Sequence, residues 1–183
     1  MDINNACVLI TYPDSLGHNL GDLCNVLETH FTGVFGGVHV LPFFPSSADR
    51  GFAPITYERV DPAFGTWDDI STLAARYNLV VDFMMNHISR RSEYVQDFLE
   101  RRDESEYASM FIRAGDVWND GTPKPSDLRH VYTRKPRQPL TEVTFADGTT
   151  ELLWCTFDEE QIDLDVSSRK TRTFIRESLA MLA

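Results

Sequence analysis

The stretch LVVDFMMNHISRR, residues 79–91, decides how the chain is divided. Its first seven residues are apolar except for Asp82, which is typical of a buried strand, yet the run closes on Asn86 and His87. Polar side chains in that place either cap the strand or direct hydrogen bonds into a cleft. The residues alone leave both interpretations open.

The chain before residue 88 alternates between strand and helix patterns. Apolar, β-branched runs predict strands near residues 6–12, 37–43 and 79–85. Between them, stretches 18–31 and 66–78 carry apolar residues at helical spacing and predict helices. Strands that are apolar almost throughout and alternate with helices indicate a parallel sheet covered by helices.

The pattern changes after His87. Residues 92–111 predict a charged helix, and residues 114–127, rich in Gly, Pro, Asp and Asn, predict a loop. Two runs of alternating apolar and polar residues within 141–154, on either side of Asp147-Gly148, predict a hairpin, and residues 167–183 predict a helix. We therefore predict an insertion between a third strand and its helix.

Composition limits the possible functions. The 183 residues are 42% hydrophobic and carry a net charge of −11, so we expect a globular chain with neither nucleic acid nor membrane as a partner. The N-terminus lacks the pattern of a signal peptide, and no apolar run is long enough to span a membrane. Three cysteines without metal-type spacing indicate reduced thiols, and we expect a cytoplasmic protein.

Several motifs resemble those of one known family. The spacing Asp82-x-x-x-Asn86-His87 resembles the first signature region of the α-amylase clan, glycoside hydrolase family 13. The motif QIDLDV, residues 161–166, resembles the short signature near the end of that clan's inserted domain. Residues 36–70 resemble the sucrose phosphorylase subfamily, especially members acting on glucosylglycerate, glucosylglycerol or related glucosides.

The resemblance implies an α/β fold that is the N-terminal part of a TIM (β/α)8 barrel. Residues 1–87 would form about three βα units, and residues 88–166 an inserted segment similar to domain B. Residues 167–183 would form a helix that returns to the barrel. Since a barrel needs eight units, we expect the remainder of the barrel to be absent from this chain.

The resemblance also implies a site for the transferred glucosyl group. Asp49 matches an aspartate that hydrogen-bonds a sugar hydroxyl, and His87 matches a hydroxyl-binding histidine. Phe52 and Phe157 match aromatic platforms beside the ring, and Gln161 a polar residue near the acceptor. Without the resemblance, the sequence indicates that Asp49 is a solvated loop residue and that both phenylalanines belong to the hydrophobic core.

A basic loop offers a second functional element. Arg134, Lys135 and Arg137 lie in VYTRKPRQPL, residues 131–140, which aligns with a family loop that helps admit phosphate. Cationic donors suit phosphate or a carboxylated acceptor. A solvated basic loop is the alternative interpretation.

The two carboxyl groups that retaining glycosyl transfer requires are not found. Arg101-Arg102-Asp103 matches the family's Arg-x-Asp nucleophile motif in letters only, because it lies in a charged helix. We therefore expect no catalytic residue in this chain, no cofactor and no metal. The chain alone should be inactive, and it should bind the missing C-terminal part of the barrel or self-associate.

Several functions remain open. The chain is interpreted as a fragment of a glucoside phosphorylase, which transfers glucose from sucrose or a glucosylglycerate-like glucoside to phosphate and yields α-glucose 1-phosphate. A non-catalytic carbohydrate-binding module and a fragment of an α-amylase-type glycoside hydrolase are alternatives. A small hydrolase using Asp49 and Asp82 is a weaker hypothesis, since Asp82 lies within a strand run.

Overall fold

A computed structural model describes residues 6–133 and 136–183. The chain forms two compact units. The first consists of the residues up to Phe52 together with Thr56–Phe83, and the second of Ala53–Ile55 together with Met84–Ala183.

The first unit is built on a parallel sheet. Strands β1 (Val8–Thr11), β2 (Gly37–Val40) and β3 (Asn78–Val81) pair in the order β1-β2-β3. Helix α1 (Leu20–His30) connects the first two strands, and helix α2 (Trp67–Ala74) precedes the third. The prediction of three parallel strands is confirmed, with shorter strands than the apolar runs suggest.

Both helices begin at side-chain caps that the sequence contains. The Asn19 side chain accepts a hydrogen bond from the backbone N–H of Asp22, at 2.9 Å. At α2, Thr66 and Asp69 form a capping box, in which the Asp69 carboxylate accepts from the Thr66 backbone N–H at 2.8 Å. These bonds satisfy N–H groups that the first turn of a helix leaves unpaired.

The two faces of the sheet differ in exposure. On one face Val38 and Val40 are fully buried, and the helices contribute further buried side chains. These are Leu20, Leu23 and Leu27 of α1 and Ile70 and Leu73 of α2. On the other face Val8, Ile10 and Val80 are 54%, 62% and 47% exposed. Successive strand residues point to opposite faces, so these three side chains share one face of the sheet, where His39 of β2 lies between Ile10 and Val80.

The third strand ends earlier than predicted. Residues 82–85 were expected to continue it, but β3 stops at Val81. His39 of β2 donates from Nε2 to the Asp82 carboxylate at 3.0 Å, and the Phe83 ring lies 4.6 Å from that of Tyr57. These contacts replace a further ladder with β2, so His87 does not stand at the end of the third strand.

The second unit contains four α-helices and four strands among its described residues. They are β4 (His87–Ser89), α3 (Glu93–Arg101), α4 (Ala114–Val117), α5 (Pro125–Leu128), β5 (Leu140–Thr144), β6 (Thr150–Trp154), β7 (Gln161–Asp163) and α6 (Arg169–Leu182), where α4 and α5 are single turns. Strand β4 pairs antiparallel with β7, and β5 pairs antiparallel with β6. The predicted hairpin and the C-terminal helix are confirmed.

The predicted helix over 92–111 is wrong in its second half. Helix α3 ends at Arg101, because Arg102 adopts φ 51° and ψ −123°, outside the helical region. The Arg102 guanidinium donates from Nε to Glu151 of β6 at 3.1 Å and thereby joins the helix end to the hairpin. Two short 3₁₀ turns, Arg102–Glu104 and Ala108–Met110, follow instead. The predicted loop over 114–127 contains α4 and most of α5.

Candidate functional site

Asp49 lies in an unusual turn of the first unit. The turn Asp49–Gly51 follows β2, and its three residues all have positive φ angles, 55° for Asp49, 49° for Arg50 and 103° for Gly51. Gly51 is packed against Pro42, so a side chain in its place would meet that residue. The turn leaves Asp49 exposed, and the backbone N–H of Phe52 donates to the Asp49 carbonyl at 3.1 Å.

A pocket of about 270 Å³ lies beside this turn, within the first unit. It is lined by Asp49 and by residues that follow β1 and β2, with three carboxylates from Asp14, Asp49 and Asp61. The Phe44 and Phe64 side chains form an apolar part of the pocket wall. Carboxylates that accept hydroxyl hydrogen bonds beside apolar surface suit a polyhydroxylated ligand such as a sugar.

His87 is buried in the second unit, in contact with the exposed Asn86 and the half-buried Phe157. It is 4% exposed as the first residue of β4, and its ring lies 5.1 Å from that of Phe157. The Asn86 amide donates from Nδ2 to His87 Nδ1 at 2.7 Å. A neutral imidazole that accepts at Nδ1 carries its proton on Nε2, so Asn86 prepares His87 to donate a hydrogen bond. Asn86 therefore fixes the tautomer of His87, a role that the residue type of Asn86 alone does not reveal.

Strand β7 brings two further polar side chains into the same unit. Gln161, opposite Ser89 in the ladder, is 1% exposed, and its backbone N–H donates to Asp158. Asp163, opposite His87, is 7% exposed. Residues His87, Phe157 and Gln161 thus belong to one unit, while Asp49 and Phe52 belong to the other. Their convergence on one cleft remains a prediction.

Asp163 was missed as a functional candidate by the sequence analysis. Burial raises the pKa of its carboxyl, although hydrogen bonds from Thr156 and the nearby positive charge of Arg137 act in the opposite direction. The Thr156 backbone N–H donates to both carboxylate oxygens, at 3.2 and 3.1 Å. The available signal was an aspartate inside the apolar alternation of QIDLDV, which predicts a buried carboxyl that requires partners.

Replacing Asp163 by asparagine is expected to change how stability depends on pH. Because its pKa is higher in the folded chain than in the unfolded chain, Asp163 contributes stability below its ordinary pKa of about 4 and loses it as the pH rises through the raised value. Asp163→Asn does not titrate and should flatten this part of the profile. Urea unfolding at a series of pH values measures it, and an unchanged profile would contradict the assignment.

Arg137 is the described member of the basic loop. It donates from Nη2 to the Cys155 carbonyl at 2.9 Å and from Nη1 to the Gln138 carbonyl at 3.1 Å. Its guanidinium also approaches the buried Cys155 thiol, whose pKa is raised by burial. Arg134 and Lys135 lie outside the described residues. Arg137 is therefore held against the strand that leads to Phe157.

A larger pocket, of about 550 Å³, lies elsewhere in the second unit, around Arg113 and Glu151. The Arg113 guanidinium donates from Nε to Glu151 Oε2 at 2.7 Å, and this bond is the main cause that lowers the pKa of the Glu151 carboxyl. Glu151 also binds Arg102, so its negative charge is paired with two arginines of the same unit.

Within residues 6–133 and 136–183, no group of three or more His, Cys, Asp or Glu side chains is arranged to hold a metal ion. No helix in the same residues has the length and apolar character needed to cross a membrane. The three cysteines are free thiols, with Cys7 exposed and Cys24 and Cys155 buried.

The comparison with family models decides the family. Residues 11–182 match the model of the alpha amylase catalytic domain. The chain belongs to the alpha-amylase family. The sucrose phosphorylase of Streptococcus mutans serotype c is 50% identical over 183 residues, which cover 100% of this chain and 38% of that protein. The glucosylglycerol phosphorylase of Marinobacter adhaerens is 48% identical over 168 residues, covering 92% of this chain and 34% of the relative.

A solved structure similar to this chain is also that of a phosphorylase. The crystal structure of sucrose 6F-phosphate phosphorylase from Thermoanaerobacter thermosaccharolyticum matches with a TM-score of 0.96 and 48% identity, covering 99% of this chain and 38% of that one. The chain thus spans between a third and two fifths of the length of these relatives. The similarity confirms the resemblance to the phosphorylases of this family and covers the N-terminal part of their TIM barrels.

Proposed function

We propose that the chain forms the first part of a retaining glucoside phosphorylase. The reaction transfers a glucosyl group from sucrose or a glucosylglycerate-like glucoside to phosphate and yields α-glucose 1-phosphate. The observation that carries this proposal is the 50% identity, over the whole chain, to a sucrose phosphorylase. The similar glucosylglycerol phosphorylase supports the same reaction type with another glucoside.

The proposed role of the chain is to hold the transferred sugar. The exposed Asp49 carboxylate accepts hydrogen bonds from ring hydroxyls, and His87 donates one from Nε2. Phe52 and Phe157 pack against the C–H faces of the ring, and Gln161 lies toward the acceptor. The phenyl ring next to His87 supports a shared role for that pair.

The proposed division of the chain follows the family. Residues 1–87 supply the first barrel units, residues 88–166 an inserted domain B-like segment, and residues 167–183 a helix of the barrel. The loop with Arg134, Lys135 and Arg137 would receive phosphate. The described contacts of Arg137 support this in one respect, since the carbonyls of Cys155 and Gln138 fix where its positive charge lies.

The two reacting carboxyl groups are proposed to come from outside this chain. A retaining transfer needs a nucleophile and an acid/base about 5–5.5 Å apart. Asp103, whose surrounding sequence matches Arg-x-Asp, lies in a 3₁₀ turn and not at the end of a strand. Its carboxylate binds the Arg113 guanidinium at 2.5 Å. The remainder of the barrel, or a second copy of the chain, would cover the sheet face of Val8, Ile10 and Val80.

Release of α-glucose 1-phosphate tests the proposal. The chain is incubated with sucrose, glucosylglycerol or glucosylglycerate and phosphate, alone and together with the C-terminal remainder of the similar sucrose phosphorylase. We expect release only from the mixture, because the chain alone lacks the groups that form and break the covalent glucosyl intermediate.

Two results would contradict the proposal. Phosphorolysis by the chain alone would show that it carries its own reacting carboxyl groups. Binding of these glucosides without release from a mixture that forms a stable complex would favour the carbohydrate-binding module.

A further inference from the structure

The turn that presents Asp49 holds a backbone conformation that its residues do not prefer. Asp49 and Arg50 are two consecutive residues with side chains and with φ angles of 55° and 49°. For residues other than glycine the left-handed region is disfavoured, because Cβ approaches the following carbonyl oxygen. Such a conformation persists only where surrounding contacts hold it. The question is which contacts hold this one.

The Arg50 side chain supplies two contacts of different kinds. Its Nη2 lies 2.6 Å from Asp14 Oδ1, and its guanidinium carbon lies 4.0 Å above the centre of the Tyr12 ring. Tyr12 and Asp14 both follow directly after β1, whereas Arg50 lies beyond β2. A guanidinium that stacks on a ring and binds a carboxylate is restrained in distance and in orientation.

The negative charges around the pocket increase the effect of Arg50 on the position of Asp49. Asp14, Asp49 and Asp61 all line it, and Arg50 is the one cationic side chain among the described lining residues. Like charges repel, so a pocket with three carboxylates and no cation would favour a conformation that moves Asp49 away. Arg50 opposes this movement by pairing with Asp14.

We propose that Arg50 is a positioning residue for Asp49. By binding Tyr12 and Asp14 it holds the turn in the left-handed conformation and so fixes where the Asp49 carboxylate points. The consequence for sugar binding rests on the proposed function, in which Asp49 accepts a hydroxyl hydrogen bond. Arg50 itself touches no part of the sugar in this proposal.

The test compares four variants of the 183-residue chain. Arg50→Ala removes both contacts, Arg50→Lys keeps the charge without the planar stacking group, and Asp14→Asn removes only the ion pair. Arg59→Ala is the matched control, since Arg59 is an exposed arginine of the same unit. Backbone scalar couplings and the intraresidue amide–Hα Overhauser effect of Asp49 report its φ angle. A titration with D-glucose, followed on the Asp49 resonances, reports binding.

Arg50→Ala is expected to abolish the left-handed signature of Asp49 and to weaken glucose binding by about tenfold to a hundredfold, the usual effect of a misplaced binding group. Arg50→Lys and Asp14→Asn should lie between Arg50→Ala and the original chain. Arg59→Ala should match the original chain in both measurements. If Arg50→Ala does not fold, the same two measurements on Arg50→Lys and Asp14→Asn decide.

Three results would overturn or redirect the inference. An unchanged Asp49 φ angle with weaker glucose binding would mean that Arg50 contacts the sugar directly, which overturns the positioning role. A changed φ angle with unchanged binding would overturn it as well. If the original chain shows no response to glucose while the φ angle still depends on Arg50, the proposed sugar site fails and the control of the turn by Arg50 stands.

Discussion

Gly51→Ala is expected to lower the free energy of unfolding by about 3 kcal/mol or more and to displace the turn that carries Asp49. A Cβ at this position would lie 2.7 Å from Pro42 Cβ and 2.8 Å from the Pro42 carbonyl oxygen. Both distances are below contact, and the neighbours are a ring and a backbone group that cannot rotate away. The φ angle of 103° is also unfavourable for any residue with a side chain.

Gly33→Ala provides the control for Gly51→Ala. Gly33 also has a positive φ angle, 74°, but a Cβ there would meet nothing within 4 Å. Its replacement should therefore cost only the backbone preference, about 1 kcal/mol. Urea unfolding of both variants measures the difference, and equal losses would show that the contact with Pro42 is not what requires glycine at position 51.

His87→Ala is expected to lower the turnover of the reconstituted phosphorolysis by about 100-fold, because under the proposed function it removes a hydrogen bond to the sugar that tightens in the transition state. The buried ring accepts from Asn86 at Nδ1 and packs near Phe157, so its Nε2–H is held in a fixed direction. Initial rates of α-glucose 1-phosphate release, measured over a range of glucoside concentrations, separate turnover from KM. A rise in KM with unchanged turnover would mean that His87 binds substrate and transition state equally well.

His18→Ala is the matched control for His87→Ala. His18 is an exposed histidine before α1, so its removal should leave turnover unchanged. Because His87 is buried, both variants require comparison of thermal unfolding as well. A correctly folded His87→Ala variant with undiminished turnover would refute the proposed role of His87 in holding the sugar.

The sequence by itself determined the local elements and the family. Apolar spacing predicted helices α1 and α2, since helical periodicity and the capping residues Asn19 and Thr66 lie within one or two turns of chain. The Asp147-Gly148 pair predicted the hairpin in the same way, because Gly148 supplies the positive φ angle of 82° that its turn requires. The signature motifs indicated the family that the comparison established.

Only the tertiary structure decided where some of these elements end. Strand β3 stops at Val81 because Asp82 binds His39, which is 43 residues away along the chain. Helix α3 stops at Arg101 because Arg102 turns toward Glu151, 49 residues away. Neither partner lies inside the window over which periodicity is read, so no local pattern contains this information.

The same physical reason explains which features of the candidate site the sequence predicts and which it does not. The residue types of Asp49 and His87 were visible in the sequence, but the contacts that orient them depend on other elements. Arg50 reaches back to Tyr12 and Asp14 after β1, and His87 faces Asp163 only because β4 pairs with β7. A sequence lists the donors, acceptors and charges of a site. Their directions and burial are set by segments far apart in the chain, which meet only when the fold buries their apolar surfaces together.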